Sequence, residues 1–229
     1  MRSIDLNADV GEGFDDAALM PLLSSANVAA GGHAGDDATI SRTVALARAH
    51  GVAVGAHPSY PDRAHFGRGA MELRPEALEV SLLEQIDRVL RAAGTLHHVK
   101  LHGALYHRAS EDSDVAHALL AAIRRVDPKL LLVAQAGSRL IDLAQAQGIR
   151  TSAEAFADRG YAPDGTLLPR GQAGALVTDP AAAARQALEL AALPDVQSLC
   201  VHSDTPGAAA LAAEVRKQLL AAGYTVVAR

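Results

Sequence analysis

The sequence of 229 residues is long enough for one large domain or two small ones, and its net charge of −5 offers no broad basic surface for nucleic acid. Hydrophobic residues make up 49 % of it, aromatic residues only 3 %, and tryptophan is absent, which favours packed helices over aromatic-rich strands. A single cysteine, Cys200, excludes an internal disulfide framework and fits a reducing compartment. No signal-peptide core or membrane-spanning apolar run is evident. We therefore expect a cytoplasmic protein with neither nucleic acid nor membrane as a partner.

Short β-prone runs alternate with longer alanine-rich segments along the chain. The predicted strands, in chain order, are SIDLNA, SANVAA, GVAVGAH, LHHVKLH, LLLVAQ, TSAEAF, SLCVHS and YTVVA. The predicted helices between them are DATISRTVALARAH, PEALEVSLLEQIDRVLRAAG, SDVAHALLAAIRRV, SRLIDLAQAQG, DPAAAARQALELAAL and GAAALAAEVRKQLLAAG. Helix starts after Asp36, Ser138 and Asp179, and helix ends at Gly94 and Gly148, match the residues that cap helices.

This alternation predicts a parallel sheet with right-handed crossovers. The pattern alone fits either an open, doubly wound sheet or a closed barrel. No linker, low-complexity tract or charge run divides the chain, so we expect one domain over residues 1–229. The longest irregular segment, ADRGYAPDGTLLPRGQAGALVTD, follows the sixth strand, and loops of this length are often functional.

Unusual polar residues stand at or just after the ends of six predicted strands. In chain order they are Asp5, Asn7, Asp9 and Glu12; His33; His57; Lys100 and His102; Glu154 and Asp158; and His202 and Asp204. In parallel α/β folds, ligand sites form at the carboxyl ends of the strands. We therefore expect these groups to meet at one end of the sheet.

Two chemistries fit this set of residues equally well. Histidines from different strands, with Asp5 or Asp9, could supply two imidazoles and one carboxylate to a divalent metal. Alternatively, the site is a metal-free pocket that binds an anionic substrate through Lys100, Arg159 and Arg170. The sequence has no ordinary P-loop and no G-x-S-x-G nucleophile elbow.

Six ordered blocks of the sequence resemble the LamB/YcsF family, and together they span nearly the whole chain. The blocks are DLNADVGEG, NVAAGGHAGD, GAHPSYPDRAHFGR, VKLHGALYH, EAFADRGYAPDGTLLPR and VHSDTPGA. The resemblance implies a (β/α) barrel of the glycoside hydrolase/deacetylase type. It also implies ATP-dependent opening of 5-oxoproline to glutamate, with two partner subunits, B and C. Ala8 stands where many members carry Cys, which argues against a cysteine nucleophile.

Roles for individual residues follow from this implied reaction. Asp9 or Glu12 would be the base that activates water, Lys100 the cation beside the developing charge, and His102 a proton relay or a metal ligand. His33 and His57 would relay protons or, with Asp5, hold a metal. The expected substrate-binding residues are Asn7, Arg159, Arg170 and Asp204. ATP with Mg²⁺ would bind either at an unconventional glycine-rich site or mainly through the partner subunits.

Three other functions compete with this interpretation. The barrel class allows a stand-alone, metal-dependent deacetylase or amidohydrolase, and stoichiometric zinc would favour it. A non-catalytic scaffold for subunits B and C is a second alternative, although the density of ionisable groups at the strand ends argues against it. A sugar-binding barrel is the third, but a chain without tryptophan has little to stack on sugar rings.

Overall fold

A computed structural model describes residues 2–228 of the chain. Within that range the strands are β1 Arg2–Val10, β2 Ser25–Ala29, β3 Ala53–His57, β4 His98–Lys100, β5 Leu131–Gln135, β6 Thr151–Phe156, β7 Ser198–Cys200 and β8 Tyr224–Val226. The helices are α1 Asp16–Leu19, α2 Asp37–Ala49, α3 Pro75–Ala93, α4 Gly103–Glu111, α5 Ser113–Val126, α6 Arg139–Ala146, α7 Pro180–Ala191 and α8 Ala208–Ala221. A 3₁₀ turn, Met20–Leu22, follows α1.

Strand β1 closes the sheet into a barrel. Strands β2 to β7 pair in sequence order, all parallel, and β1 pairs with both β2 and β7. Strand β8 pairs with Arg2–Ile4 at the start of β1, before the residues of β1 that pair with β2. The expected barrel with outer helices is thus confirmed, and the open sheet that the strand pattern also allowed is excluded.

The helices pack their apolar faces on the outside of the barrel. Several begin where a side-chain oxygen accepts a hydrogen bond from the first turn, as Asp36 does from the backbone N–H of Thr39 and Ser138 from that of Ile141. In α3 the buried face consists of Leu78, Leu82, Gln85, Ile86, Val89 and Ala93. No helix among residues 2–228 is long and apolar enough to cross a membrane.

The interior of the barrel is polar. Alternate residues of a strand face opposite sides, so Leu6 and Ala8 join the apolar core while Asp5, Asn7 and Asp9 turn inward. Asn7 donates a hydrogen bond to the hydroxyl of Ser198 on β7 and accepts one from the amide of Asn27 on β2, the two strands that flank β1. This stack of hydrogen-bonded side chains leads up to the C-terminal end of the strands.

The fourth strand is shorter than the predicted LHHVKLH. Strand β4 ends at Lys100, and His102 stands at the N-terminal end of α4, a helix that the sequence pattern did not predict. The helix begins at Gly103, whose φ is +59°, and no side chain caps it with a hydrogen bond. A Cβ at Gly103 would overlap the carbonyl oxygen of Gly67, so glycine allows α4 to approach the loop after β3.

Candidate active site

A cavity opens at the C-terminal mouth of the barrel, above the stack of polar side chains. Its volume is about 50 Å³, and it adjoins an outer cavity of about 390 Å³. The inner cavity is lined by Asp9, His57, Lys100, His102, Tyr106, Phe156 and His202, among others. The two cavities share Arg68, Gly103, His107, Arg159, Leu167 and Arg170. The mouth is therefore acidic and imidazole-rich inside, and basic toward the surface.

The ammonium group of Lys100 is one of the buried charges beside the inner cavity. Its Nζ lies 3.1 Å from Asp9 Oδ1 and 3.0 Å from Glu154 Oε2, and it donates to Asn7 Oδ1 at 3.3 Å and to Cys200 Sγ at 3.1 Å. Burial is the largest single effect on the pKa of Lys100 and lowers it, but Asp9 and the other groups around the ammonium together outweigh burial and raise that pKa well above its usual range. Lys100 is thus a fixed positive charge.

Two carboxylates share the upper interior with Lys100. Asp9 accepts a hydrogen bond from Asn27 Nδ2 at 2.8 Å, and its Oδ2 lies 3.4 Å from His57 Nε2. Burial would raise the pKa of Asp9, but His57 and Lys100 hold that pKa well below its usual range. Burial would likewise raise the pKa of Glu12, and hydrogen bonds with His102 and His33 lower it instead. Both groups are carboxylates at neutral pH.

Three imidazoles surround the carboxylate of Glu12. Its Oε1 lies 2.8 Å from His33 Nε2, 3.3 Å from His102 Nδ1 and 3.8 Å from His57 Nε2. The rings of His33 and His102 stack in parallel, with centroids 3.7 Å apart. Burial lowers the pKa of His33 to about 4, against the opposing effect of Glu12. Glu12, His33, His57 and His102 together form a group of described residues that could hold a metal ion.

Asp204 joins two arginines at the rim. Its Oδ2 lies 2.5 Å from Arg68 Nη2 and 3.0 Å from Arg170 Nη1. Arg159 makes a different set of contacts, because its guanidinium donates to the main-chain carbonyls of Leu168 and Ala175. Arg68 and Arg170 are therefore the rim arginines paired to a side chain, whereas Arg159 ties down the long loop after β6.

A further buried carboxylate, Asp158, connects the loops after β6 and β7. It accepts hydrogen bonds from the hydroxyl of Thr205 at 2.5 Å and from the backbone N–H of His202 at 3.0 Å, and its Oδ1 lies 2.9 Å from His202 Nδ1. Burial would raise the pKa of Asp158, but His202 and Thr205 together lower it. The ring of His202 also stacks on Phe156. This contact network holds His202 at the wall of the inner cavity.

The structure brings most of the predicted site residues to this mouth, but Asp5 lies apart from them. Ser24, Ser25 and Ser198 donate hydrogen bonds to its carboxylate, near the level where β1 begins to pair with β7. Asp5 belongs to neither group of potential metal ligands among residues 2–228. The alternating spacing correctly placed Asp5, Asn7 and Asp9 on one face of β1. It did not indicate how far along the barrel axis each of them lies.

The comparisons with known proteins agree with this architecture. Residues 4–229 match the model of the LamB/YcsF family. A protein of Methylococcus capsulatus, named as the A subunit of 5-oxoprolinase, is 46 % identical over 99 % of this chain and 96 % of that protein. The chain belongs to the LamB/YcsF family. A crystal structure described as a lactam utilization protein from Thermus thermophilus superposes with a TM-score of 0.90 at 41 % identity, over 99 % of this chain and 100 % of that one.

A more distant structural neighbour shares the fold of this chain. A "T48 deacetylase with substrate" superposes with a TM-score of 0.55 at 16 % identity, over 99 % of this chain and 87 % of that one. At this identity the likeness concerns the fold alone. It agrees with the barrel type that the sequence blocks implied.

Several residues at the mouth of this LamB/YcsF protein had no role assigned from the sequence. Phe66 accepts a hydrogen bond from His102 through its carbonyl, and the guanidinium of Arg68 lies 5.0 Å above its ring. Glu154 pairs with Lys100, and Tyr106 lines the inner cavity. Phe66 and Arg68 lie in the block GAHPSYPDRAHFGR, and this block is the sequence feature that points to a role for them.

Proposed function

We infer that this chain is the A subunit of an ATP-dependent 5-oxoprolinase, which opens 5-oxoproline to glutamate together with B and C subunits. The support from relatives is the full-length identity of 43–46 % to proteins named as A subunits of 5-oxoprolinase. The support from geometry is the inner cavity, where Lys100, Asp9 and His57 meet beside a basic rim. The proposal rests mainly on this arrangement, in which a fixed cation lies beside carboxylates and imidazoles.

The proposed reaction needs help from ATP because a lactam is a resonance-stabilised amide with a poor leaving group. Transfer of the γ-phosphoryl group to the lactam oxygen releases ADP and makes the ring carbon electrophilic. Water then adds to that carbon, the C–N bond breaks as the nitrogen takes a proton, and a second water releases phosphate from the resulting acyl phosphate. The products are glutamate, ADP and phosphate.

The residues of the inner cavity suit the water-addition step. Asp9 lines the cavity as a carboxylate, so it can accept the proton of the attacking water. Lys100 is positioned to stabilise negative charge that develops on the oxygen. Burial lowers the pKa of His102, despite the opposing effect of Glu12, so its ring is neutral where it lines the cavity beside Lys100. Glu12 and Asn7 orient these groups through their hydrogen bonds and contacts.

The carboxylate of 5-oxoproline would bind at the rim. Arg170 and Arg68 both pair with Asp204, and a substrate carboxylate is a chemically equivalent partner for a guanidinium. Arg159 supports this surface by fixing the loop that carries Arg170. Mg²⁺-bound ATP would be held mainly by the partner subunits, because the chain has no ordinary P-loop.

The test is to co-express the chain with candidate B and C subunits and to measure glutamate release from 5-oxoproline with and without ATP. We expect turnover only with all three chains and ATP. In that complex, Asp9→Asn should reduce turnover per assembled complex on the order of 100-fold or more. The exposed Asp195→Asn is the matched control. ATP-independent hydrolysis by the isolated chain, or full activity of Asp9→Asn, would overturn the proposal.

A further inference from the structure

Two backbone carbonyls fix which nitrogen of His57 and of His102 carries a proton. Nδ1 of His57 lies 2.8 Å from the carbonyl oxygen of Lys100, and Nε2 of His102 lies 3.0 Å from that of Phe66. A carbonyl oxygen only accepts hydrogen bonds, so each of these nitrogens is the donor. In the neutral rings, the opposite nitrogens therefore carry lone pairs.

Those two lone pairs point at the same small volume. His57 Nε2 lies 2.9 Å from His102 Nδ1, and Glu12 Oε1 lies 3.3 Å from the latter. His33 Nε2 completes the group at 2.8 Å from the same oxygen of Glu12. Acceptor atoms brought this close repel one another unless a cation or a shared proton lies among them.

We propose that Glu12, His33, His57 and His102 bind one divalent transition-metal cation of the zinc class. Ligand atoms placed about 2.0–2.1 Å from a tetrahedral zinc are separated by about 3.3 Å, and the contacts of 2.8, 2.9, 3.3 and 3.8 Å in this group straddle that spacing. Three imidazoles and one carboxylate suit zinc, cobalt or nickel better than magnesium or calcium, which prefer oxygen ligands.

The surroundings of His57 and His102 have the form that metal-binding histidines require. A ligating histidine usually donates its other ring N–H to a carbonyl or carboxylate, which fixes the ring and its tautomer. His57 and His102 both do so through main-chain carbonyls. His33 stacks in parallel on His102, so its ring has to rotate before its lone pair and that of His102 can meet at one ion. Both His57 and His102 line the inner cavity, which gives a metal a path to the site.

The charge balance of the interior also favours a divalent cation. Asp9 and Glu154 pair with Lys100, while Asp9 and Glu12 both lie beside His57, so the carboxylates in this interior outnumber its one fixed cation. Buried charges require compensation, and one divalent ion supplies it. A proton shared between His57 and His102 would supply only one positive charge, and it is the alternative that the experiment has to exclude.

The test measures metal binding by the full chain alone, without B or C subunits, ATP or 5-oxoproline. The chain is stripped with a chelator, and Zn²⁺ binding is followed by calorimetry against a competing chelator. We expect one Zn²⁺ per chain and a rise in melting temperature with Zn²⁺. Cobalt substitution should give the strong visible absorption of a tetrahedral site. Because no lactam chemistry enters this measurement, its failure and that of the proposed function are distinguishable.

Variants locate the ion. Glu12→Gln and His102→Gln, which keep size and polarity, should each weaken Zn²⁺ binding on the order of 100-fold and abolish the tetrahedral cobalt spectrum. The exposed His117→Ala should change neither. Circular dichroism of the stripped variants establishes that they are folded; if a Gln variant unfolds, His33→Asn replaces it. Absence of stoichiometric binding, or binding that the ligand variants leave unchanged, would overturn the proposal in favour of the shared proton.

Discussion

At the scale of single residues, Lys100 shows why a buried charge is hard to assign to chemistry or to structure. Its side chain is 2 % exposed and lies between the carboxylates of Asp9 and Glu154. Such an ion pair compensates the cost of burying each charge, so removing one partner is destabilising even where the residue is also catalytic. The charge therefore serves both the fold and the proposed reaction.

A pair of variants separates the two effects. Lys100→Met leaves Asp9 and Glu154 without their cation and should lower the free energy of unfolding by about 3–5 kcal/mol. Adding Glu154→Gln restores part of the charge balance, so the double variant should regain stability. Turnover by the assembled complex should fall on the order of 100-fold or more in both, because neither retains the cation in the cavity.

The readouts are urea denaturation of the chain and glutamate release by the complex, with the exposed Lys129→Met as the control. If the double variant recovered activity together with stability, Lys100 would have only a structural role.

At the scale of elements, the sequence predicted those strands and helices whose signals are local. Alanine-rich helices with Asp or Ser at their N-termini were recognised because the cap and the periodicity lie within one segment. Helix α4 was not, since it begins with a glycine, has no side-chain cap and follows β4 after only two residues. Its start depends on the approach to Gly67 in another loop, which no local pattern records.

The close packing around Gly55 in strand β3 can be tested by substitution. A Cβ at Gly55 would overlap Nε2 of His98 on the neighbouring strand, whose ring fills the barrel interior and contacts Asn27 Oδ1 at 2.6 Å. Gly55→Ala should therefore displace this ring and lower the free energy of unfolding by about 1–3 kcal/mol. Denaturant unfolding would measure it.

Gly171→Ala is the matched control, because Gly171 has open space around its Cβ position. An equal stability for Gly55→Ala and the wild type would mean that the interior can shift to admit a methyl group.

At the scale of the whole molecule, the site is assembled by closure of the barrel. The sequence correctly predicted that strand ends would gather polar residues, because this follows from parallel topology. It could not predict which of them pair: Arg68 and Asp204, for example, are 136 positions apart and meet only because β1 joins β2 to β7. The sequence also could not predict how far Asp5 lies below the mouth of the barrel. The alternation of residues along a strand fixes the face on which a side chain lies, but not its position along the barrel axis.

The contacts of Asp158 hold the loops after β6 and β7 together at the mouth of the barrel. The pH dependence of the unfolding free energy can test this role. Burial alone would raise the pKa of Asp158, but His202 and Thr205 lower it in the folded chain, below the value of about 3.9 in an unfolded one. The carboxylate therefore stabilises the fold fully above about pH 4, and this contribution is lost as pH falls toward the lowered pKa. At neutral pH, Asp158→Asn should cost about 1–3 kcal/mol, because an amide cannot accept all of these hydrogen bonds.

The difference in unfolding free energy between the wild type and Asp158→Asn should stay constant from pH 7 to pH 5. Below about pH 4 it should shrink, by at most about 1.4 kcal/mol per pH unit, since one proton is involved. Urea denaturation at a series of pH values would measure this, with the exposed Asp195→Asn as control. A difference that stayed constant in acid would mean that folding leaves the pKa of Asp158 unchanged, and one that grew would mean that folding raises it. Either result would contradict a pKa lowered by His202 and Thr205.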